Sequence, residues 1–168
     1  MNLYGYVGNN PLSFSDPFGL CPDSLRADDG TCPGGLTERE FKRAEYAARN
    51  HITPGAQDRV LGLLYDGHLH SGVLDRVANA ETASGEITVN TQSRNGNLFE
   101  SHPALLGYVL AHESEHHEQQ TGLQGIMNSI KAFFDKEGTR REMEDAAYSY
   151  GCANSKSLLI KHNGSCHP

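Results

Sequence analysis

The segment PALLGYVLAHESEHHEQQTG, Pro103 to Gly122, limits the fold of this chain more than any other. An apolar run passes without a break into seven residues that hold three histidines and three glutamates. On a helical wheel of about 100° per residue, His116 falls about 40° from His112, and Glu113 about 100° away on the same side. Leu105, Leu106 and Val109 project into that sector too. His112, Glu113 and His116 therefore continue the apolar stripe, while Ser114, Glu115 and Glu118 point elsewhere. A solvated face would set the two histidines opposite the leucines. The spacing predicts a central helix from Pro103 to about Thr121, with its polar residues turned inward.

Around this helix the chain has room for one globular domain: 168 residues can bury a sizeable core. The net charge is −7, and no cluster of Lys and Arg interleaves with aromatics. That balance argues against a nucleic-acid ligand, because phosphate neutralisation normally shows as grouped positive charge. No segment approaches the ~20 apolar residues that cross a bilayer, so no membrane partner is expected. The N-terminus has no basic-then-apolar signal order, so export would rely on another carrier.

The remaining elements are mostly helical. Thr37 followed by Glu40 forms a capping box that starts a helix over LTEREFKRAEYAARN, with Phe41, Ala44 and Ala48 as its stripe. A second helical segment, AQDRVLGLLYDG, follows Pro54-Gly55. GEITVNTQS alternates Ile87 and Val89 with polar neighbours, which predicts a strand at a sheet edge, and Asn95-Gly96 supplies a turn. Gly122 and Gly125 loosen the chain before a helix in IMNSIKAFFDKEG, and another runs through TRREMEDAAYSYG. The expected fold class is α+β, mainly helical with a small β-sheet.

His112 to His116 reads H-E-S-E-H, an instance of H-E-x-x-H. Histidines four apart on one helical face can share a Zn²⁺ ion, and the glutamate between them can hold the water that becomes a nucleophile. Two inward histidines beside a glutamate would be costly to bury without such a partner. A third ligand is needed, and Glu142, Glu144 and Asp145 follow 26 to 29 residues after His116. The motif resembles that of the gluzincin metallopeptidases, whose third ligand is a downstream glutamate on a second helix, often followed by small residues. That resemblance implies a zincin-like domain. It favours Glu144, which precedes Ala146 and Ala147, over Glu142. The extra histidine that marks metzincins is absent from HEQQTGLQG. His117 reads as a neighbour of the site, and Tyr148 and Tyr150 as aromatic packing or as hydrogen-bond donors to an oxyanion. His162, Cys166 and His167 read as a loose tail.

The first twenty residues differ in kind. NLYGYVGNNPLSFSDPFGL is rich in turn formers and resembles the signature that closes the repeat core of Rhs/YD-repeat polymorphic toxins. Asp16, Pro17, Gly19 and Leu20 match its D-P-x-G-L element. The resemblance implies a boundary: residues 1–20 are the end of an Rhs core, and 21–168 a metallopeptidase toxin domain. It also implies an Rhs shell and secretion apparatus as carriers, a cognate immunity protein, and delivery into a target cell. Pairing Cys21 with Cys32 and Cys152 with Cys166 would close two short loops, as suits an exported effector. The expected activity is zinc-dependent hydrolysis of a protein or peptide, with Glu113 as general base and His112, His116 and Glu144 as ligands. A metal-dependent nuclease toxin and a non-enzymatic binding module with structural histidines are the rival readings.

Overall fold

The computed structural model describes residues 21–156; the Rhs-like signature with its boundary at residue 20, and His162, Cys166 and His167, lie outside the described residues. Five helices and three strands follow in the order α1 (Glu38–His51), α2 (Pro54–Tyr65), β1 (Leu69–Gly72), β2 (Ala80–Ala83), β3 (Glu86–Asn90), α3 (Pro103–Gln120), α4 (Gly122–Phe134) and α5 (Lys136–Asn154). The fold is α+β and mainly helical with one small sheet.

The capping box of α1 is complete. Thr37 Oγ1 accepts from Glu40 N at 3.3 Å, and Glu40 Oε2 accepts from Thr37 N at 2.9 Å. These bonds satisfy two orphan donors, and the helix then buries Phe41, Ala44, Ala47 and Ala48. Pro54 opens α2 where its missing N–H costs nothing. Thr53 N donates to Asn154 O at 2.8 Å, which ties the start of α2 to the end of α5.

In the sheet, β3 is the central strand: β1 pairs with it in parallel and β2 antiparallel. This corrects its expected place at an edge. Alternation shows only that one face is buried, and the true edges, LHSG and AETA, have too few branched residues to announce themselves. The hairpin from β2 to β3 turns at Ser84 and Gly85, with φ of +55° and +81°. Two positive φ values in a two-residue loop are those of a type I′ turn, whose twist matches the strands. Buried Asn90 holds the β1–β2 loop, donating to the carbonyls of Asp75 and Ala78 at 2.9 and 2.8 Å.

α3 runs through the middle, packed by α1, α2, α5 and the sheet. Its inward face holds Leu106, Val109, Glu113 and His116, but Ser114 is fully buried as well. The wheel placed Ser114 outward. It sits against a second covering, and its Oγ donates to Ala111 O at 2.8 Å, which removes the cost of burial. Glu115 and Glu118 meet Arg59 of α2 at 2.8 and 3.9 Å.

Two boundaries differ from expectation. α4 begins at Gly122, four residues before Ile126: extended Thr121 ends α3, Gly122 at φ +56° turns the chain, and Gly125 N donates to Thr121 O at 2.9 Å to open the new helix. α5 begins at Lys136, where Asp135 caps it by accepting from Gly138 N at 2.9 Å. Cys21 and Cys32 form a disulfide, both sulfurs buried in the core. Cys152 is buried and disulfide-bonded, while Cys166, its expected partner, lies outside the described residues.

Candidate metal centre

Close approach of α5 to α3 brings the site residues together. Ala147 and Gly151 are one turn apart on α5 and fully buried or nearly so. A Cβ built on Gly151 would lie 3.0 Å from His112 Cβ and 3.2 Å from His112 Cα and N. Only glycine lets the backbones meet there, and Glu144, two turns earlier on α5, is thereby set over the histidines. Ala147 is the small residue that closes the gap. Ala146, named with it from the sequence, is exposed.

Among the described residues, one group of metal-ligating side chains converges: His112, His116 and Glu144, with one ligand atom from each, all within 4.8 Å of one another. Glu144 Oε2 lies 3.5 Å from His116 Nε2 and 3.8 Å from His112 Nε2. Bonds of about 2.0–2.2 Å to a single ion hold ligand atoms roughly 3.3–3.6 Å apart, so the His–Glu separations suit one small cation. Glu142, the alternative ligand, faces away and pairs with Lys131 Nζ at 3.6 Å.

The surroundings of the two rings fix how they face the site. Gln119 Nε2 donates to Met143 O at 3.0 Å, which fixes the amide so that its Oε1 faces His116 Nδ1 at 2.9 Å. Oε1 can only accept, so Nδ1 carries the proton and Nε2 presents its lone pair to the site. This is the outer hydrogen bond that metal-bound histidines normally make. His112 Nδ1 is buried with no hydrogen-bond partner. The Ala147 main chain favours the charged ring slightly without being placed for a hydrogen bond. Burial first, then neighbouring His116, lower the His112 pKa to about 4, against a smaller opposing pull from Glu144. A ring held neutral at such a cost fits the donor set of a cation site.

Glu113 is the buried carboxylate of the site, 6% exposed. Burial raises its pKa above the ordinary carboxylate range. Thr82 on β2 opposes that shift: its Oγ1 donates to Glu113 Oε2 at 2.6 Å.

A cleft of about 440 Å³ opens over these groups, walled on one side by β2 from Asn79 to Thr82 and on the other by Arg140, Met143 and Glu144. Asn90 N donates to Asn79 O, so in this register Glu81 and Ala83 bond to β3 while Ala80 and Thr82 turn their backbone groups to the open edge. Gln120 Nε2 takes the Thr82 carbonyl at 2.8 Å. The Ala80 backbone groups face the cleft.

Some residues anticipated from sequence lie elsewhere. His117 Nδ1 contacts Gly85 O at 2.7 Å, and its ring lies 5.3 Å from that of His68, outside the cation group. Tyr150 packs under Arg59, whose guanidinium is 4.6 Å from the ring centroid. Tyr148 meets Tyr108 edge-on at 6.2 Å. Tyr108 is the tyrosine that lines the cleft, and burial raises its pKa to about 12, so it stays a neutral donor. It precedes His112 by one turn, a spacing that could have revealed it. Gln119 stands three residues after His116 and was equally legible. Thr82 had no local signal, since only the hairpin brings it to α3. No family model, curated protein or solved structure matches the chain.

Proposed function

We propose that this chain is a zinc-dependent peptidase domain, an effector toxin carried at the tip of an Rhs protein and delivered into a target cell. The convergence of His112, His116 and Glu144 beside the buried carboxylate of Glu113 carries the reading. Two neutral imidazoles and one carboxylate are the donor set of catalytic zinc sites that keep a fourth position open. Zinc bound there supplies Lewis acidity, which lowers the pKa of a water and polarises a carbonyl.

The chain's own groups do the rest. Glu113 takes the proton of the attacking water and passes it to the leaving amine. Burial raises its pKa, which makes the carboxylate a better proton acceptor than a solvated glutamate. Thr82 orients that carboxylate through Oε2. Tyr108 offers a hydroxyl for the oxyanion that forms as the carbonyl is attacked. The free backbone of Ala80 supports an extended polypeptide laid along β2, the mode in which sheet edges capture peptides. The zincin-like character of the fold, the Rhs shell and secretion apparatus, and a cognate immunity protein belong to the same proposal; their support is the sequence resemblance.

Glu113→Gln tests it. The variant is expected to bind one zinc per chain and to lose toxicity and the new protein termini seen in cells expressing the wild type, a rate loss on the order of 10²–10⁴. Full toxicity in the variant would sink the mechanism. Nicking of plasmid by the purified protein would favour the nuclease rival.

A further inference from the structure

α4 is mounted inside out. Its buried positions are Gly125 and Asn128, and Asn128 Nδ2 donates to Gln119 O at 2.9 Å while its Oδ1 accepts from Gln124 Nε2 at 3.2 Å. The apolar residues face solvent: Leu123, Ile126, Met127, Ile130, Phe133 and Phe134, from 52% to 84% exposed. Their spacing of three and four residues makes one continuous stripe over the whole helix, the pattern with which helices pair.

The stripe is far from an ordinary surface. The largest apolar patch on a typical monomer is roughly 300–600 Å². Two phenylalanines alone offer roughly 150–250 Å² each, and four more large side chains bring the stripe to the order of the ~800 Å² that each partner buries in a stable interface. It also carries no charge. Lys131, on the flank, is matched by Glu142 of the same chain at 3.6 Å. The stripe itself places no charged side chain at a contact between two copies, so no like-charge pair is forced together there.

We infer that α4 is a self-association surface, pairing with α4 of a second copy of this chain about a two-fold axis. The inference is independent of any activity at the cation site, since none of the ligand residues belongs to the stripe. The full chain should rise from near its monomer mass toward twice that mass across roughly 1–100 µM, a range that brackets a micromolar Kd. Ile130→Asp should shift it to monomer, with an unchanged far-ultraviolet circular dichroism spectrum. Should that variant misfold, Phe133→Ser, at a position 84% exposed, must give the same shift. A wild type that is monomeric throughout overturns the inference, as does a monomer that floats with phosphatidylcholine–phosphatidylglycerol vesicles. A dimer that survives both substitutions overturns it as well, because another surface then holds the copies together.

Discussion

α3 and α4 are consecutive helices joined at Thr121, and they hide opposite things. α3 takes Glu113, Ser114, His116 and Gln119 into the interior along with its leucines. α4 attaches by Asn128 and Gly125 and leaves six large apolar side chains outside. The difference teaches that a hydrophobic pattern marks a distinctive face without saying which way it points. Direction is decided by partners. The buried polar atoms of α3 have them in Thr82, Gln119, Met143 and Ala111, with His112 Nδ1 the exception. The apolar face of α4 has none among the described residues.

The contrast breaks most readily by truncating one leucine in each helix. Leu106→Ala, at a site 1% exposed, should cost ~2–5 kcal/mol by urea unfolding, while Leu123→Ala, 83% exposed, should stay within ~0.5 kcal/mol in the monomeric protein. Equal losses would mean that α4 is packed in the folded chain. Gly151→Leu should cost toward the upper end of ~1–3 kcal/mol, because the first atoms it meets are His112 Cβ and backbone, which cannot swing away. It should also weaken zinc binding by displacing that ligand, as read by competition with a chelator. Asn128→Ala should cost ~1 kcal/mol, since Gln119 O loses a donor; no change would mean that α4 is not held by its polar side.

A further test is one of pH. The His112 pKa is lowered to about 4 from an ordinary 6.5, so the unfolded chain binds this proton first as the solution is acidified. Stability of the metal-free protein should therefore fall between about pH 6.5 and pH 4, with no contribution from His112 above that window. His112→Gln should flatten that limb in thermal melts. A limb that persists unchanged would assign it to other groups.

These same helices mark what the sequence disclosed. The inward placement of His112, Glu113 and His116 was legible because four-residue spacing on a helix is a local rule, and so was the Thr37–Glu40 cap. Glu144 could be named because small residues after it announce a close helix, although Gly151, not Ala146, makes the tightest contact. β1 and β2 escaped notice because their pairing is long-range and their residues carry little strand preference. The outward face of α4 was not legible, since its stripe would look the same turned inward.

The hairpin turn at Ser84-Gly85 has a mechanical consequence. His117 and Gln120 grip its carbonyls at Gly85 and Thr82, and Thr82 in turn grips Glu113, so the hairpin is fastened to α3 by three bonds at two residues, Thr82 and Gly85. The strand wall and Glu113 therefore move as a single jaw. The opposing wall is anchored behind Glu144 by Gly151 and beside it by the Gln119–Met143 bond and the Glu142–Lys131 pair, and its leading part, Lys136 to Arg141, is largely exposed. Any widening of the cleft to admit a bulky chain must come from that side. The residue that rides on it is Glu144, so any such widening would also displace one of the three side chains that could hold a cation.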